Sequence, residues 1–391
     1  MATLGEAVLK ITANAQGLIG GLNKASAKMK AFGKKVGDAG KAIAGAGMKI
    51  AAFGAAILGA FLPAIVQGAK FEKSMSDVAA VVGDVFDSAG EGEGGKTLRN
   101  FDMLEQKAME LGETTEWSAS QVAEAMKFMG MAGMSTMQIN EGVAGVLELA
   151  SAGSLDLARA ADIATDSMSA FNLRAADLGR VNDVMAATAA NANTSIDMMG
   201  ESFKYVAPLA SGLGQSIESV STMLGLLANK GIKASSAGTS LNQAMATLAT
   251  PTDKLTEVLQ KNGLTFDQVN SSQNDMILVI KRLRDAGMTA GDMIAAFGKR
   301  GGRAILSLVQ TSQEEFDKLS DSITNSFGEA AKQAAIKLDN MAGDFKKFWS
   351  AVEGVNIQVF KQLNVAMRPI TQWLTAVIQQ VAVWIRRRYF L

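Results

Sequence analysis

Ser118-Ala119-Ser120-Gln121-Val122-Ala123-Glu124-Ala125-Met126-Lys127-Phe128-Met129-Gly130-Met131-Ala132-Gly133-Met134-Ser135 reads as one complete helix with its start, its stop and the start of the next. Ser118 supplies a side-chain oxygen for the orphan amides of a first turn, and Gln121, three residues on, completes a reciprocal capping box. Val122, Ala123, Met126 and Met129 recur at threes and fours on one stripe, with Gln121, Glu124 and Lys127 on the opposite one. Gly133 accepts the left-handed conformation that closes a helix. Met134 then packs back on the last turn, and Ser135 caps the next helix.

The same grammar recurs downstream. Gly263-Leu264-Thr265 with Gln268, and Gly287-Met288-Thr289, repeat the stop, the apolar residue and the restart, and Gly231-Ile232 followed by Ser235 is a looser version. Thr250 with Asp253, after Pro251 at a first helical position, predicts one more start. The reading is a mainly α fold in which residues 71–310 form an array of short capped helices joined by tight turns.

On either side the pattern changes. In 311–391 helix stops become rare. Phe316, Leu319, Ile323, Phe327 and Ala330 recur at threes and fours, as do Phe345, Phe348, Val352, Val355, Val359 and Leu363, which predicts long coiled-coil-like helices. Pro369 is expected to break them, before a wide apolar face from Ile370 to Ile385. In 24–70, seven lysines from Lys24 to Lys49 face a single acid, Asp38, which describes a basic amphipathic helix. It runs into the uncharged stretch Ile50–Val66, with Phe53, Ile57, Leu58, Phe61, Leu62 and Ile65 as its large apolar members. A helix of that length spans about 25 Å at ~1.5 Å per residue, just short of a ~30 Å hydrocarbon core. It is a marginal membrane segment and equally suits a buried or oligomer-facing helix. Residues 1–23 hold one candidate strand, Ala7–Thr12.

Composition removes whole classes of chemistry. The 391 residues contain no Cys and no His, so disulfides, thiolate and imidazole catalysis and the usual zinc ligands are absent. With 38 basic against 38 acidic residues, net charge offers no argument for nucleic-acid binding. Apolar residues make up 48%, aromatics only 6%, and 22 residues are Met, which suits a helical chain with small-residue contacts and adaptable packing. The start of the chain lacks the basic and apolar regions of a secretory signal, so synthesis in the cytoplasm is expected.

Gly90-Glu91-Gly92-Glu93-Gly94-Gly95-Lys96-Thr97 matches the phosphate-loop pattern, in which loop amides and the lysine cradle phosphates and the Thr hydroxyl holds magnesium. Two glutamates inside it would face phosphate with like charge. No clean strand precedes it, because Val78–Val85 carries Gly83 and Asp84. Gly90, Gly95, Lys96 and Thr97 are therefore read as a decoy in a Gly/Glu loop, and no cofactor or metal is expected. Glu314-Glu315 and Glu110 with Glu113 read as solvated helix faces, Lys299-Arg300 with Arg303 as a basic helix end, and Met126, Met129, Met131, Met134 and Met137 as core or interface. No catalytic constellation remains.

Phe71-Glu72-Lys73-Ser74-Met75-Ser76-Asp77-Val78, Leu111-Gly112-Glu113-Thr114-Thr115-Glu116-Trp117-Ser118-Ala119, Tyr205-Val206-Ala207-Pro208-Leu209-Ala210 and Gly231-Ile232-Lys233-Ala234-Ser235-Ser236-Ala237-Gly238-Thr239 resemble, in order, the core domain of phage tail tape measure proteins. Phe297-Gly298 with Arg303-Ala304 closes the similarity, which covers 71–310. The chain departs in being short, and residues 90–97 look like an insertion. The resemblance implies a structural role in the virion: several copies line the tail tube, tube subunits polymerise around them, and protein length sets tail length. It also implies exit ahead of the DNA, with apolar segments helping to cross the host envelope. The implied partners are the chain itself, tail tube and assembly proteins, and the host inner membrane. The alternative is a membrane-active, holin-like or pore-forming helical protein built around Lys24–Val66.

Overall fold

In the computed structural model, residues 47–91 and 97–389 are described; the candidate strand Ala7–Thr12 and nearly all of the basic segment from Lys24 lie outside them. Sixteen α-helices occur among the described residues. The chain divides into Met1–Pro63 and Ala64–Leu391, and the helical body belongs to the second unit.

The caps organise the array. After α1 (Gly47–Val81) and α2 (Asn100–Thr114), α3 (Ala119–Met131) starts with the Ser118 amide donating to Gln121 Oε1 at 2.9 Å, and α4 (Thr136–Gly153) with the Ser135 amide donating to Gln138 Oε1 at 2.8 Å. Gly133, Gly263 and Gly287 all adopt positive φ (83°, 73° and 68°), as their place in the turns requires. α5 (Leu157–Ala170), α6 (Leu178–Asn191), α7 (Ile196–Gly212), α8 (Ile217–Asn229) and α9 (Ala234–Ala249) follow. Then come α10 (Asp253–Lys261), α11 (Phe266–Val269), α12 (Met276–Asp285), α13 (Ala290–Val309), α14 (Gln313–Thr324), α15 (Glu329–Leu338) and α16 (Met341–Tyr389).

One buried apolar cluster joins them, from Phe71 and Met75 through Met126, Met129, Phe203 and Leu241 to Ile305 and Ile323. Small residues set the closest approaches: α9 lies between α7 and α13, with Gly238 against the Ser202 carbonyl and Gly301 against Ala244. Phe171 meets Phe203 edge to face at 5.2 Å, joining the end of α5 to α7. Of the five clustered methionines, Met126, Met129 and Met134 are core, while Met131 and Met137 are exposed.

At the start of α13, Asp292 accepts from the Thr289 amide and pairs with Lys261 at 2.8 Å. Lys261 first, then the Thr289 hydroxyl and amide, lower its pKa from 3.8 to about 2. A carboxylate whose folded pKa is depressed contributes stability that is fully present above its unfolded value and is lost as pH falls through the folded one. Stability should therefore drop between pH 4 and 2, and Asp292→Asn should flatten that part of a urea-midpoint titration. An unchanged acid limb would assign the loss to other carboxylates.

Four expectations are corrected. Thr252, not Thr250, caps α10, accepting from the Leu255 amide at 3.2 Å, so the start moves two residues and Pro251 precedes the helix. Residues 311–340 hold two short helices rather than a long one. Gly328 at φ 78° ends the α14–α15 link, and Phe316, Leu319, Ile323 and Ala330 are buried in the body. Their spacing marks a core face, but Phe327, in the same series, is fully exposed. α16 runs on through Pro369, because a proline removes one amide and bends a helix without having to end it. The Gly/Glu loop region carries a small antiparallel pair, β1 (Ser88–Glu91) with β2 (Thr97–Arg99), bulged between Ser88 and Gly90.

Candidate functional site

Of the four phosphate-loop residues, Gly90 and Thr97 are described. Gly90 lies in β1 opposite Leu98 and Thr97 in β2 opposite Glu91, while Gly95 and Lys96 lie outside the described residues. The next helix starts three residues after Thr97, at Asn100, where Arg99 and Asp102 form its capping box. A phosphate loop instead places its Thr at a helix N-terminus after a strand. Among the described residues no group of Asp and Glu is arranged to hold a metal. Glu110 pairs with Lys107 at 3.1 Å, and Glu113 accepts from Gln358. Lys299, Arg300 and Arg303 are exposed on α13 just after Gly298, whose φ of 70° and ψ of 179° break the helix there.

Within the apolar segment, Leu62 and Val66 are exposed, Ala64 is buried and Ile65 half-buried. Side chains of Ile50, Phe53, Ile57, Leu58 and Phe61 lie outside the described set. Among the described residues no helix is long and apolar enough to cross a membrane.

The surface that stands out is on α16, which has two faces. One is committed to the body. Gly343, Ser350, Gly354, Ile357 and Phe360 are buried, and the Phe360 ring sits over Gly68, where a Cβ would lie 2.0 Å from Cγ. Polar contacts pin this face: Glu353 accepts from the Ser120 amide at 3.1 Å, Lys361 pairs with Glu105 at 3.1 Å, and Arg368 reaches Glu72 at 3.2 Å.

At 100° per residue, Met341, Phe345, Phe348, Val352, Val355 and Val359 point the opposite way. Met341, Phe345, Phe348 and Val355 are exposed, at 72, 57, 56 and 61%, and Val352 and Val359 are half-buried. Exposed large apolar side chains in one continuous stripe mark an interaction surface. Beside it, a groove of about 690 Å³ runs between α16 and the start of α3, with Trp117, Phe345 and Trp349 among its lining residues. The Trp117 wall is fixed, since its Nε1 donates to Ser151 Oγ at 3.0 Å. Sequence spacing reveals the stripe but not the body face. The signal for the latter is the small residues at Gly343, Ser350 and Gly354, seven and four apart.

A body of capped helices and a long helix with an exposed apolar stripe fit a structural protein of an assembly. The family described as phage-related minor tail protein matches residues 105–299. This defines the class as a phage tail protein. The tape measure protein of Pneumococcus phage Dp-1 is 30% identical over 329 residues, covering 83% of this chain and 28% of the relative. The probable tape measure protein of Escherichia phage P2 is 28% identical over 362 residues, covering 89% and 43%. No solved structure matches. The chain belongs to the phage tail tape measure family, and it spans less than half the length of these two relatives.

Proposed function

We propose that the chain is a non-catalytic structural component of the tail. It lies in the tube lumen during assembly, contacts tube and assembly proteins, and contributes to tail length through extended helix before leaving ahead of the genome. The observation that carries this is α16, 49 residues without a break, which at ~1.5 Å per residue spans about 74 Å. The capped body does not lengthen in the same way, because its helices are held by turns and a shared core.

The test is an in-frame deletion of residues 369–389 in the phage gene. Removing 21 helical residues should shorten tails by about 32 Å at ~1.5 Å per residue, read from electron micrographs. Normal-length tails would reject this helix as a ruler. The phosphate-loop residues are proposed to hold no ligand. Lys96→Ala should accordingly leave infectivity unchanged, and tight ATP binding by the unaltered chain, lost in the variant, would reject that assignment.

A further inference from the structure

α15 joins the capped helices that end in α14 to the long α16, and it is docked differently from both neighbours. α14 buries Phe316, Leu319 and Ile323, and α16 buries Ile357 and Phe360. The only fully buried side chains of α15 are Ala330 and Ala334. Of its two large apolar side chains, Leu338 is half-buried and Ile336 exposed, and Phe327, just before the helix, is fully exposed. We propose that α15 is a releasable strap, which lifts off α4 and α6 as a unit while α14, α16 and the rest of the body stay folded.

The alanines let α15 approach α4 and α6 closely, but they remove little apolar surface from water, and hydrophobic stabilisation scales with that area. The fit is also incomplete. A cleft of about 180 Å³ remains beneath the strap, with Ala152, Ala186, Ala189 and Ala190 on the body side and Gln333 and Lys337 on α15. Methyl groups cannot reach across it, so the dispersion contacts of a filled interface are missing there.

What fastens α15 is polar and sits at its two ends. At the start, the Gly328 and Ala330 amides donate to the Asp183 carboxylate at 2.8 and 3.0 Å, an anion on the positive end of the α15 dipole. At the other end, Lys337 Nζ donates to the Ala152 carbonyl at 2.5 Å and to Ser154 Oγ at 3.0 Å, a cation on the negative end of α4. Lys337 is exposed, so water and salt compete for this contact. Both ends are jointed. Gly328, at φ 78°, has nothing within 4 Å of an added Cβ, and beyond the helix the Gly343 amide donates to Asn340 Oδ1 at 3.1 Å. That local cap lets α16 keep its own start when α15 leaves. Few buried side chains, an underfilled interface and exposed fastenings mark a unit that opens before the whole. Because residues 325–340 are the link from α14 to α16, lifting the strap is the step that gives α16 slack.

Hydrogen exchange on the full-length chain, resolved by peptide, tests the strap. In the unaltered protein the amides of 332–338 should be protected at least about tenfold less than the buried amides of α4, α6, α14 and residues 350–360 of α16. Asp183→Asn keeps the shape of the cap but turns a donor toward one of the two amides, and should lower protection in α15 by about tenfold more. Lys337→Ala, at an exposed position that leaves the core untouched, should lower it by about threefold. Protection in α14 and in 350–360, and the urea midpoint, should stay as they are in both variants. Equal protection of α15 and α4 in the unaltered chain would overturn the proposal. So would a loss that spreads to α14 and α16 in either variant, because α15 would then open only with the body. Should Asp183→Asn fail to fold, unchanged α15 protection in Lys337→Ala would overturn it alone. The measurement makes no use of the proposed role in the tail, so either can fail without the other.

Discussion

Gly238→Ala should destabilise the body by about 3 kcal/mol or more, one of the largest effects of any single methyl group in this protein. α7 and α9 touch backbone to backbone here. A Cβ at position 238 would lie 2.2 Å from the Ser202 carbonyl oxygen and 3.0 Å from its carbonyl carbon and Cα. A flexible side chain could rotate away from such a contact, but a helix carbonyl has no such freedom. The two helices would have to separate, and they are held on both sides. The Ser202 hydroxyl donates to the Ala234 carbonyl at 2.9 Å, and α9 is clamped from behind where Gly301 meets Ala244. Alanine is otherwise the better helix former, by up to ~1 kcal/mol, so its intrinsic propensity works against the predicted sign. A fall in the urea midpoint therefore measures the contact itself. An unchanged or raised midpoint would mean that α7 and α9 can part cheaply. Gly179→Ala is the control, because nothing lies within 4 Å of its added Cβ.

That contact is invisible to periodicity, and the reason separates what can be read in this chain from what cannot. A cap, an apolar stripe and a glycine stop are written within a few residues of one another. Ser135, Thr265 and Thr289 could therefore be placed as caps and Gly133, Gly263 and Gly287 as left-handed turns, each as the structure has it. Thr250 and Thr252 compete for one start within three residues, and the choice fell to Thr252, whose hydroxyl faces the amide of Leu255. Local spacing also leaves open which partner an apolar face meets. Phe316, Leu319 and Ile323 have the same step as Phe345, Phe348 and Val352, yet the first set is core and the second lies on the outward face.

Caps that arrive from elsewhere in the chain are not legible at all. Asp84 accepts from the Thr136 amide at 3.0 Å and its hydroxyl at 2.9 Å, from 52 residues away. Asp183 accepts from the Gly328 and Ala330 amides at 2.8 and 3.0 Å, opening α15 from 145 residues away. The second arrangement has an electrostatic cost. Glu148 is half-buried, and burial first, then the charge of Asp183, pushes its carboxyl pKa upward.

The clearest case of a hidden role is Gln215, and it sets the other large expected effect. Gly214-Gln215-Ser216 is the same stop-and-restart turn as Gly133-Met134-Ser135, with Gly214 at φ 73° and Ser216 capping α8. Its middle residue is polar where the others are apolar, and so it escaped the pattern. The side chain is buried nonetheless. Its Nε2 donates to the Ser271 and Asn274 carbonyls at 2.7 and 2.9 Å, and its Oε1 accepts from the Met276 amide at 2.8 Å. One amide thus satisfies three backbone groups of the irregular link between α11 and α12, while its backbone closes α7. Gln215→Leu keeps the volume and matches the apolar residue of the sister turns, yet leaves those three groups without partners inside the protein. At ~1–3 kcal/mol for each buried group left unpaired, the loss should be about 3 kcal/mol or more. Gln215→Glu should be worse than its near-identical shape suggests, because a carboxylate can still accept from Met276 but turns like-signed oxygens toward two carbonyls. Hydrogen exchange distinguishes this role from general core loss. The Met276 amide should lose protection in Gln215→Leu before amides in α4 or α6 do, since the link opens as a local unit. Uniform loss of protection across the body would instead mean that Gln215 acts only as filling, and that the link between α11 and α12 is held by something else.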